Sequence, residues 1–240
     1  MSDVVLSLIM PVHNEGATLQ EVLERVGSVD MPVPYELIVV DDGSSDGAVE
    51  DIRRSWVSNA VALRVVQART NRGKGSALRK GFSLARGSIL GVQDADLEYD
   101  PSQIPDLIRP ILDDEADVVF GSRQFGANAS YSFWYTLGNR LISLSASMLF
   151  DRITTDAYTC YKFMRREAYE SINLSADGFE IEAELTGGLL GNGWRYREVP
   201  ISYEARSREE GKKIRAKDGL TAVATLLGVR FARRAQRAGR

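Results

Sequence analysis

Residues 88–101 read SILGVQDADLEYDP. An apolar run of strand character passes directly into three carboxylates at alternate positions, Asp94, Asp96 and Glu98. Alternate side chains of extended backbone point to one side, so the three acids face together. Neighbouring carboxylates repel one another and lose hydration wherever they are partly buried. A divalent cation offsets both costs, and oxygen donors of this kind suit Mg²⁺ or Mn²⁺ shared with substrate phosphates. An acidic surface turn is the plainer reading of the same residues. Asp100-Pro101 closes the stretch as the start of a helix.

Four further β-rich runs take the same form: VVLSLIMP (4–11), YELIVVDD (35–42), ALRVVQA (62–68) and ADVVFGSR (116–123). Helical patterns separate them at Ala17–Val26, Val49–Trp56, Gly75–Ala85 and Pro101–Leu112. Continuous apolar strands alternating with helices imply an α/β, Rossmann-like domain with a mostly parallel central sheet flanked by helices. Right-handed crossovers then place the strand C-termini along one edge, where open α/β sheets bind ligands. Each of the five runs ends there in polar residues: His13-Asn14-Glu15, Asp41-Asp42-Gly43-Ser44, Asn71-Arg72-Gly73-Lys74-Gly75, the acidic stretch, and Ser122-Arg123. Scattered surface charge rarely falls so regularly.

The second half is less regular. Tyr131–Phe150 reads as an amphipathic helix with Trp134, Leu137, Leu141, Leu144 and Met148 on one face. Glu180–Gly191 reads as another helix, Arg197–Tyr203 as a short strand and Leu220–Arg237 as a closing helix. The charged stretch Glu204–Lys217 contains Gly211 and reads as a mobile loop. No internal repeat or low-complexity linker divides the chain. One domain is expected over residues 1–220, with a basic helical tail over 221–240.

The 240 residues are 44% hydrophobic and 26% charged, enough for a full core. A single cysteine, Cys160, rules out an internal disulfide and a cysteine-rich zinc site. It reads as a buried core residue in a reduced, cytoplasmic setting. No segment approaches the roughly 20 apolar residues of a membrane helix, and MSDVV lacks the character of a signal peptide. The net charge of −3 hides an uneven distribution. Arg206 to Arg240 holds eleven Lys or Arg against three acids, a net of +8, so the rest carries −11. Such an end suits an anionic partner (a phosphate, acidic lipid or nucleic acid) or is simply a solvated tail.

Several chemistries lose support. The loop at Asn71–Gly75 resembles an anion-binding turn before a helix, but it matches neither the P-loop nor GxGxxG, since Leu78 stands where the last glycine belongs. His13, the only histidine, excludes a histidine metal cluster and reads as the wall of a nucleotide pocket. No GxSxG accompanies it. In the DDGSSD turn, Ser45 or Asp46 is expected to cap the next helix, with Asp41 or Asp42 hydrogen-bonding ribose or base.

Taken together, these residues resemble the family 2 inverting glycosyltransferases of the GT-A fold, in the branch of dolichyl-phosphate mannose synthase and polyprenyl-phosphate glycosyltransferases. The matching stretches are PVHNEGATL, ELIVVDDGSSDG, NRGKGSALRKGF, QDADLEYDP, VVFGSR, LGNRL, TCYKFMRRE and VPISYEARSREEGKKI, from about residue 5 to residue 220. The resemblance implies that Pro11, His13, Glu15 and Asp42 hold the nucleoside, and that Lys74, Gln93 and Asp94 serve the nucleotide sugar. Asp94 and Asp96 look like the family's DxD, on a Mn²⁺ or Mg²⁺ ion and the diphosphate. Glu98 would be a further metal ligand, where relatives often carry Gln. Arg123 and Arg140 suit an acceptor phosphate, and Arg206, Lys212 and Lys213 a lid over the diphosphate.

Asp96, Arg123 and Glu182 are the catalytic candidates. Glu182 and its neighbour Glu184 read either as a general base or as an exposed helix face with Glu180. The implied activity is metal-dependent transfer, with inversion, from GDP-mannose or a UDP-sugar to a polyprenyl phosphate. A soluble acceptor or mutase chemistry is the alternative, and a non-enzymatic binding module the remote one. No nucleic-acid partner is expected. Many relatives carry membrane helices after the catalytic domain, and none follows in this sequence. Membrane contact is therefore expected to be peripheral, through the basic tail, a membrane-anchoring partner or self-association.

Overall fold

The computed structural model describes residues 4–47, 49, 52, 62–124, 133–205 and 216–238. Seven strands form its sheet: β1 (Leu6–Val12), β2 (Tyr35–Asp41), β3 (Ala62–Gln67), β4 (Ile89–Val92), β5 (Val118–Ser122), β6 (Lys162–Arg165) and β7 (Tyr196–Pro200). Their order is β3-β2-β1-β4-β6-β5-β7. The β1–β2, β2–β3, β1–β4 and β5–β7 pairs are parallel, whereas β6 runs antiparallel to both β4 and β5. The sheet is thus mostly parallel, as the apolar runs imply. The inserted β6 is the element the sequence pattern misses.

Seven helices are described: α1 (Leu19–Ser28), α2 (Lys74–Leu84), α3 (Ile104–Leu112), α4 (Phe133–Phe150), α5 (Arg166–Glu170), α6 (Ile181–Gly191) and α7 (Ala216–Ala238). The expected Val49–Trp56 helix lies largely outside the described residues; Val49 and Ile52 are helical and buried. Pro101–Gln103 forms a 3-10 turn before α3, and the Asp100 carboxylate accepts a bond from the Ser102 N–H. Asp100-Pro101 starts a helix as expected.

The core has two main faces. Leu6, Leu8 and Met10 pack on one side of β1 with α1 and α3, while Ile9 faces Leu78 and Phe82 of α2 and Ile181 and Leu185 of α6. This alternation follows from the pleat. A third cluster joins Ile142, Ala146 and Phe150 of α4 to Leu190 of α6 and to Ala222 and Leu226 of α7.

The stripe expected on α4 is present, and the structure adds its orientation. Leu137, Leu141, Leu144 and Met148 do share one face, but that face is exposed. The buried face is Ile142, Ser143, Ala146 and Phe150. Trp134 lies outside the described side chains. No helix among the described residues is long and apolar enough to cross a membrane.

Candidate active site

Strand β1 pairs with β2 on one side and β4 on the other, so the chain reverses its winding direction between β1 and β4. In open α/β sheets a crevice forms at such a point, beyond the strand C-termini. A cavity of about 240 Å³ lies there. Pro11, His13, Glu15, Asp42 and Lys74 line it, together with Asp94, Asp96, Glu98, Arg123 and Glu182. The five polar clusters at the strand ends therefore meet in one place. Because β6 is reversed, its leading residues Tyr158 and Cys160 also reach the cavity wall.

The β1 and β2 ends are latched together. The Asn14 N–H donates to Ser44 Oγ at 3.0 Å, the Ser45 N–H to Asn14 Oδ1 at 2.9 Å, and the Gly16 N–H to Asp46 Oδ2 at 2.9 Å. Asn14 adopts a positive φ of 52°, which asparagine tolerates better than most residues. Ser45 and Asp46 thus fasten the His13 loop; the expected cap of the following helix falls outside the described residues. Asp41 accepts from the Ser44 N–H at 2.9 Å, while Asp42 is the acid that lines the cavity.

Asp42 also accepts from the backbone N–H groups of Arg72 at 3.0 Å and Gly73 at 2.6 Å. This corrects the reading of Asn71–Gly75 as an open anion seat, because the protein's own carboxylate takes those two donors. Gly73 sits at φ 108° with its α-carbon against the backbone at Asp177, and a side chain at Gly73 or Gly75 would collide with residues 176–177. These glycines permit close backbone approach.

Behind Lys74 lies a buried chain of alternating charge. Lys74 Nζ is 2.8 Å from Asp94 Oδ1 and 3.0 Å from Glu182 Oε1, and Glu182 Oε2 is 2.6 Å from Lys162 Nζ. Lys162 is wholly buried beside the Phe120 ring and also donates to the Thr159 carbonyl. Burial alone would push the Glu182 carboxyl up, but Lys162 and then Lys74 outweigh it and hold it at about 2. For Lys74 desolvation works downward, yet Asp94, Cys160 and Glu182 carry the ammonium well above its ordinary value. Cys160 Sγ, 3.0 Å from Lys74 Nζ, is pushed up by burial and by Asp94, so its thiol is no ready nucleophile.

These contacts correct two expectations for α6. Neither Glu182 nor Glu184 lies on an exposed face, and neither is placed as a base. Glu182 is a counter-ion for two lysines, and Glu184 accepts bonds from the Ser175 and Ala176 N–H groups and the Ser175 hydroxyl. A carboxylate held near 2 is a weak proton acceptor at neutral pH. Gln93 is also redirected: it is fully buried, donates to the Asp94 carbonyl at 3.0 Å and accepts from the Tyr161 hydroxyl at 2.7 Å. It shapes the acidic stretch without lining the cavity.

Arg123 enters the cavity from β5 already paired. Its Nε and Nη2 donate to the two oxygens of Asp156, each at 2.7 Å, and its guanidinium carbon lies 5.0 Å from the Tyr203 ring centre. Burial would raise the Asp156 carboxyl, but Arg123 and Asn139 hold it below the usual range. Glu198 fixes the turn behind it, accepting from the hydroxyls of Thr154, Thr155 and Tyr196 and from the Thr155 N–H. Lys162, Asp156 and Glu198 are the supports of the cavity that sequence reasoning misses. The charged Lys162 inside the apolar YKFM run is the one visible signal among them. Arg140 is exposed on α4 and does not line the cavity.

Asp94, Asp96 and Glu98 all line the cavity, but their environments differ. Asp94 faces Lys74, Asp96 accepts from the Glu98 N–H at 3.2 Å, and Glu98 accepts from the Tyr203 hydroxyl at 2.6 Å. Among the described residues, no three His, Cys, Asp or Glu side chains converge as a ready-made cation cage. The donor set fits a hard cation of the Mg²⁺ type, which takes one or two carboxylates and completes its shell with water and phosphate. Arg206, Lys212 and Lys213, expected as a lid, lie outside the described residues.

Comparison with known proteins agrees with this geometry. Residues 7–172 match the model of glycosyl transferase family 2. A dolichol-phosphate mannosyltransferase of Pyrococcus furiosus is 31% identical over 86% of this chain and 58% of its own length. An undecaprenyl-phosphate 4-deoxy-4-formamido-L-arabinose transferase of Edwardsiella ictaluri is also 31% identical, over 92% of this chain and 65% of its own. The chain thus spans about three fifths of these relatives' length. Among solved structures, glucosyl-3-phosphoglycerate synthase of Mycobacterium tuberculosis, in complex with Mn²⁺ and uridine-diphosphate-glucose, superposes with a TM-score of 0.70 at 22% identity, covering 94% of this chain and 79% of that one. The fold is GT-A, and with two thirds of its residues inside the family model the chain belongs to glycosyl transferase family 2.

Proposed function

We propose that this chain transfers a sugar, with inversion, from a nucleotide sugar to the phosphate of a polyprenyl or dolichyl phosphate. The observation that carries the reading is the meeting of the acidic stretch, Lys74 and a buried, pre-oriented Arg123 in one cavity. The names of the relatives, which are lipid-phosphate sugar transferases, support it.

In this reading Pro11, His13, Glu15 and Asp42 bind the nucleoside. Asp94 and Asp96, with Glu98 beside them, would hold Mn²⁺ or Mg²⁺, which when bound stabilises charge on the departing diphosphate. Lys74, pinned by Asp94 and Glu182, holds a fixed positive charge beside that diphosphate. Arg206 and Lys212 add further cations. Arg123, fixed by Asp156, receives the acceptor phosphate. An acceptor oxygen attacks the anomeric carbon as the bond to the diphosphate breaks, and the electron pair leaves with the nucleotide.

A phosphate acceptor also explains why no base stands ready in α6. A phosphate monoester is largely ionised at pH 7, its second pKa being about 6. A hydroxyl acceptor would need a proton acceptor, and Glu182 and Glu184 are both occupied.

The test is Asp96→Ala, assayed with a polyprenyl phosphate and a panel of GDP- and UDP-sugars. Turnover should fall by about a thousandfold while the fold is retained. Near-wild-type turnover in that variant, a nucleotide-sugar isomer as product, or transfer only to a soluble acceptor would each overturn the proposal.

A further inference from the structure

Tyr203 follows β7, lines the cavity and is buried at 3% exposure. Its two parts face different walls. The hydroxyl donates to Glu98 Oε2 at 2.6 Å, in the acidic stretch after β4. The ring lies under the Arg123 guanidinium, whose carbon is 5.0 Å from the ring centre. One side chain therefore touches both the last of the three cavity carboxylates and the cation at the end of β5.

The backbone fixes where that side chain stands. Tyr203 pairs with Tyr99 in an isolated antiparallel bridge, and the Glu204 N–H donates to the Glu98 carbonyl at 3.0 Å. The segment after β7 is thereby fastened to the acidic stretch. Behind it the aromatic packing continues inward. Tyr203 meets Tyr99 edge-on with 5.0 Å between ring centres, and Tyr99 lies tilted on the buried Tyr161 at 4.7 Å. A tyrosine has only two side-chain angles to fix, so a ring clamped in this way holds its hydroxyl in one place.

Both of its targets gain from such a hold. Asp94 is short and ion-paired with Lys74, and Asp96 is short and bonded to the Glu98 N–H. Glu98 is longer by a methylene, and fixing a glutamate costs more rotamer freedom. A hydrogen bond to a metal-binding carboxylate orients it, and losing such a bond typically lowers metal affinity by about 10–100-fold. On the other wall, Asp156 grips the edge of the Arg123 guanidinium and leaves its flat face to other partners. The Tyr203 ring covers that face, an attraction that strengthens when water is excluded.

We propose that Tyr203 is a positioning residue shared by the two walls of the cavity. Its hydroxyl orients the Glu98 carboxylate for a divalent cation, and its ring orients the Arg123 guanidinium for an acceptor phosphate. The inference rests on the transferase reading and deepens it. Transfer is assayed apart from binding, so a failure of that reading shows in product formation and a failure of this inference in binding constants.

The experiment measures two equilibria on the full chain. Mn²⁺ binding is followed by electron paramagnetic resonance in the presence of UDP or GDP, and geranyl phosphate binding by calorimetry. Y203F keeps the ring and removes the hydroxyl, whereas Y203L removes both. Y203F should weaken Mn²⁺ binding about tenfold and leave geranyl phosphate binding unchanged. Y203L should weaken Mn²⁺ binding as much and geranyl phosphate binding by at least about threefold. Adding Y203F to E98A should cause no further loss of Mn²⁺ affinity. Circular dichroism checks the fold, and Y203F keeps the test decisive if Y203L unfolds. The proposal is overturned if Y203F binds Mn²⁺ as the wild type does, or loses both ligands alike. Further loss in the E98A background, or a wild type that binds neither ligand, overturns it too.

Discussion

From the β6 side the cavity is reached through Lys162, Glu182, Lys74 and Asp94, a run of ion pairs that is almost fully enclosed. From the β7 side it is reached through Glu198, a pair of threonines, Asp156 and Arg123, where neutral hydroxyls and backbone N–H groups separate the two acids. The first route is a run of opposite charges, each dependent on its neighbours for solvation. The second is an ion pair hung on a hydrogen-bonded frame. The difference lies in how a loss propagates. Deleting one member of the first strands a buried charge, whereas loosening the frame of the second leaves the Arg123–Asp156 pair intact.

Lys162→Met should therefore have the largest effect, about 3–5 kcal/mol in urea unfolding, because Glu182 loses its closest partner in the core. Lys162→Met with Glu182→Gln should recover part of that loss, and a strictly additive pair would show that the two residues are not coupled. Acid exposes the same dependence. Glu182 ordinarily titrates at 4.5 and is held at about 2, so an unfolded chain takes up its proton first as pH falls. The stability it contributes is fully present above 4.5 and is lost as pH falls toward 2. Urea midpoints at pH 6 and pH 3 should separate more in the wild type than in Glu182→Gln; equal separations would refute the assignment.

Arg123→Lys keeps the charge but loses the two-pronged contact with Asp156. A cost of about 2–3 kcal/mol is expected, with KM for the acceptor rising more than KM for the nucleotide sugar. The smallest change should come from Glu198→Gln, about 1–2 kcal/mol, since an amide can still accept from the threonine hydroxyls. If Glu198→Gln proves as damaging as Lys162→Met, the two routes are not built differently after all.

The sequence discloses the N-terminal half well, for a physical reason. Strands β1, β4 and β5 are continuous apolar runs because both their faces are buried, and each ends in polar residues because the ligand edge is open. Asp94 and Asp96 are found by that rule alone. Strand β6 escapes it because KFMR carries two charges in four residues, one of them solvated by Glu182 rather than by water. The α4 helix shows a different limit. Periodicity finds the stripe of Leu137, Leu141, Leu144 and Met148, but not which way it points. The inward face, with Ser143 and Ala146, is the less apolar of the two. Asp156 gives no local sign of its role, because its partner lies 33 residues earlier in the chain.

The reversed strand between β4 and β5 sets how the molecule is divided for change. The parallel strands of the first half bring Pro11, Asp42, Lys74 and Asp94 to the cavity, whereas Tyr158 and Cys160 reach it because β6 runs the other way. The cavity wall is therefore drawn from both halves of the polypeptide, the first supplying most of its carboxylates and the second its thiol. Substitutions after about residue 125 can alter the β6 wall while the acidic stretch after β4 stays untouched. Such an arrangement lets one wall of the cavity change without rewriting the other.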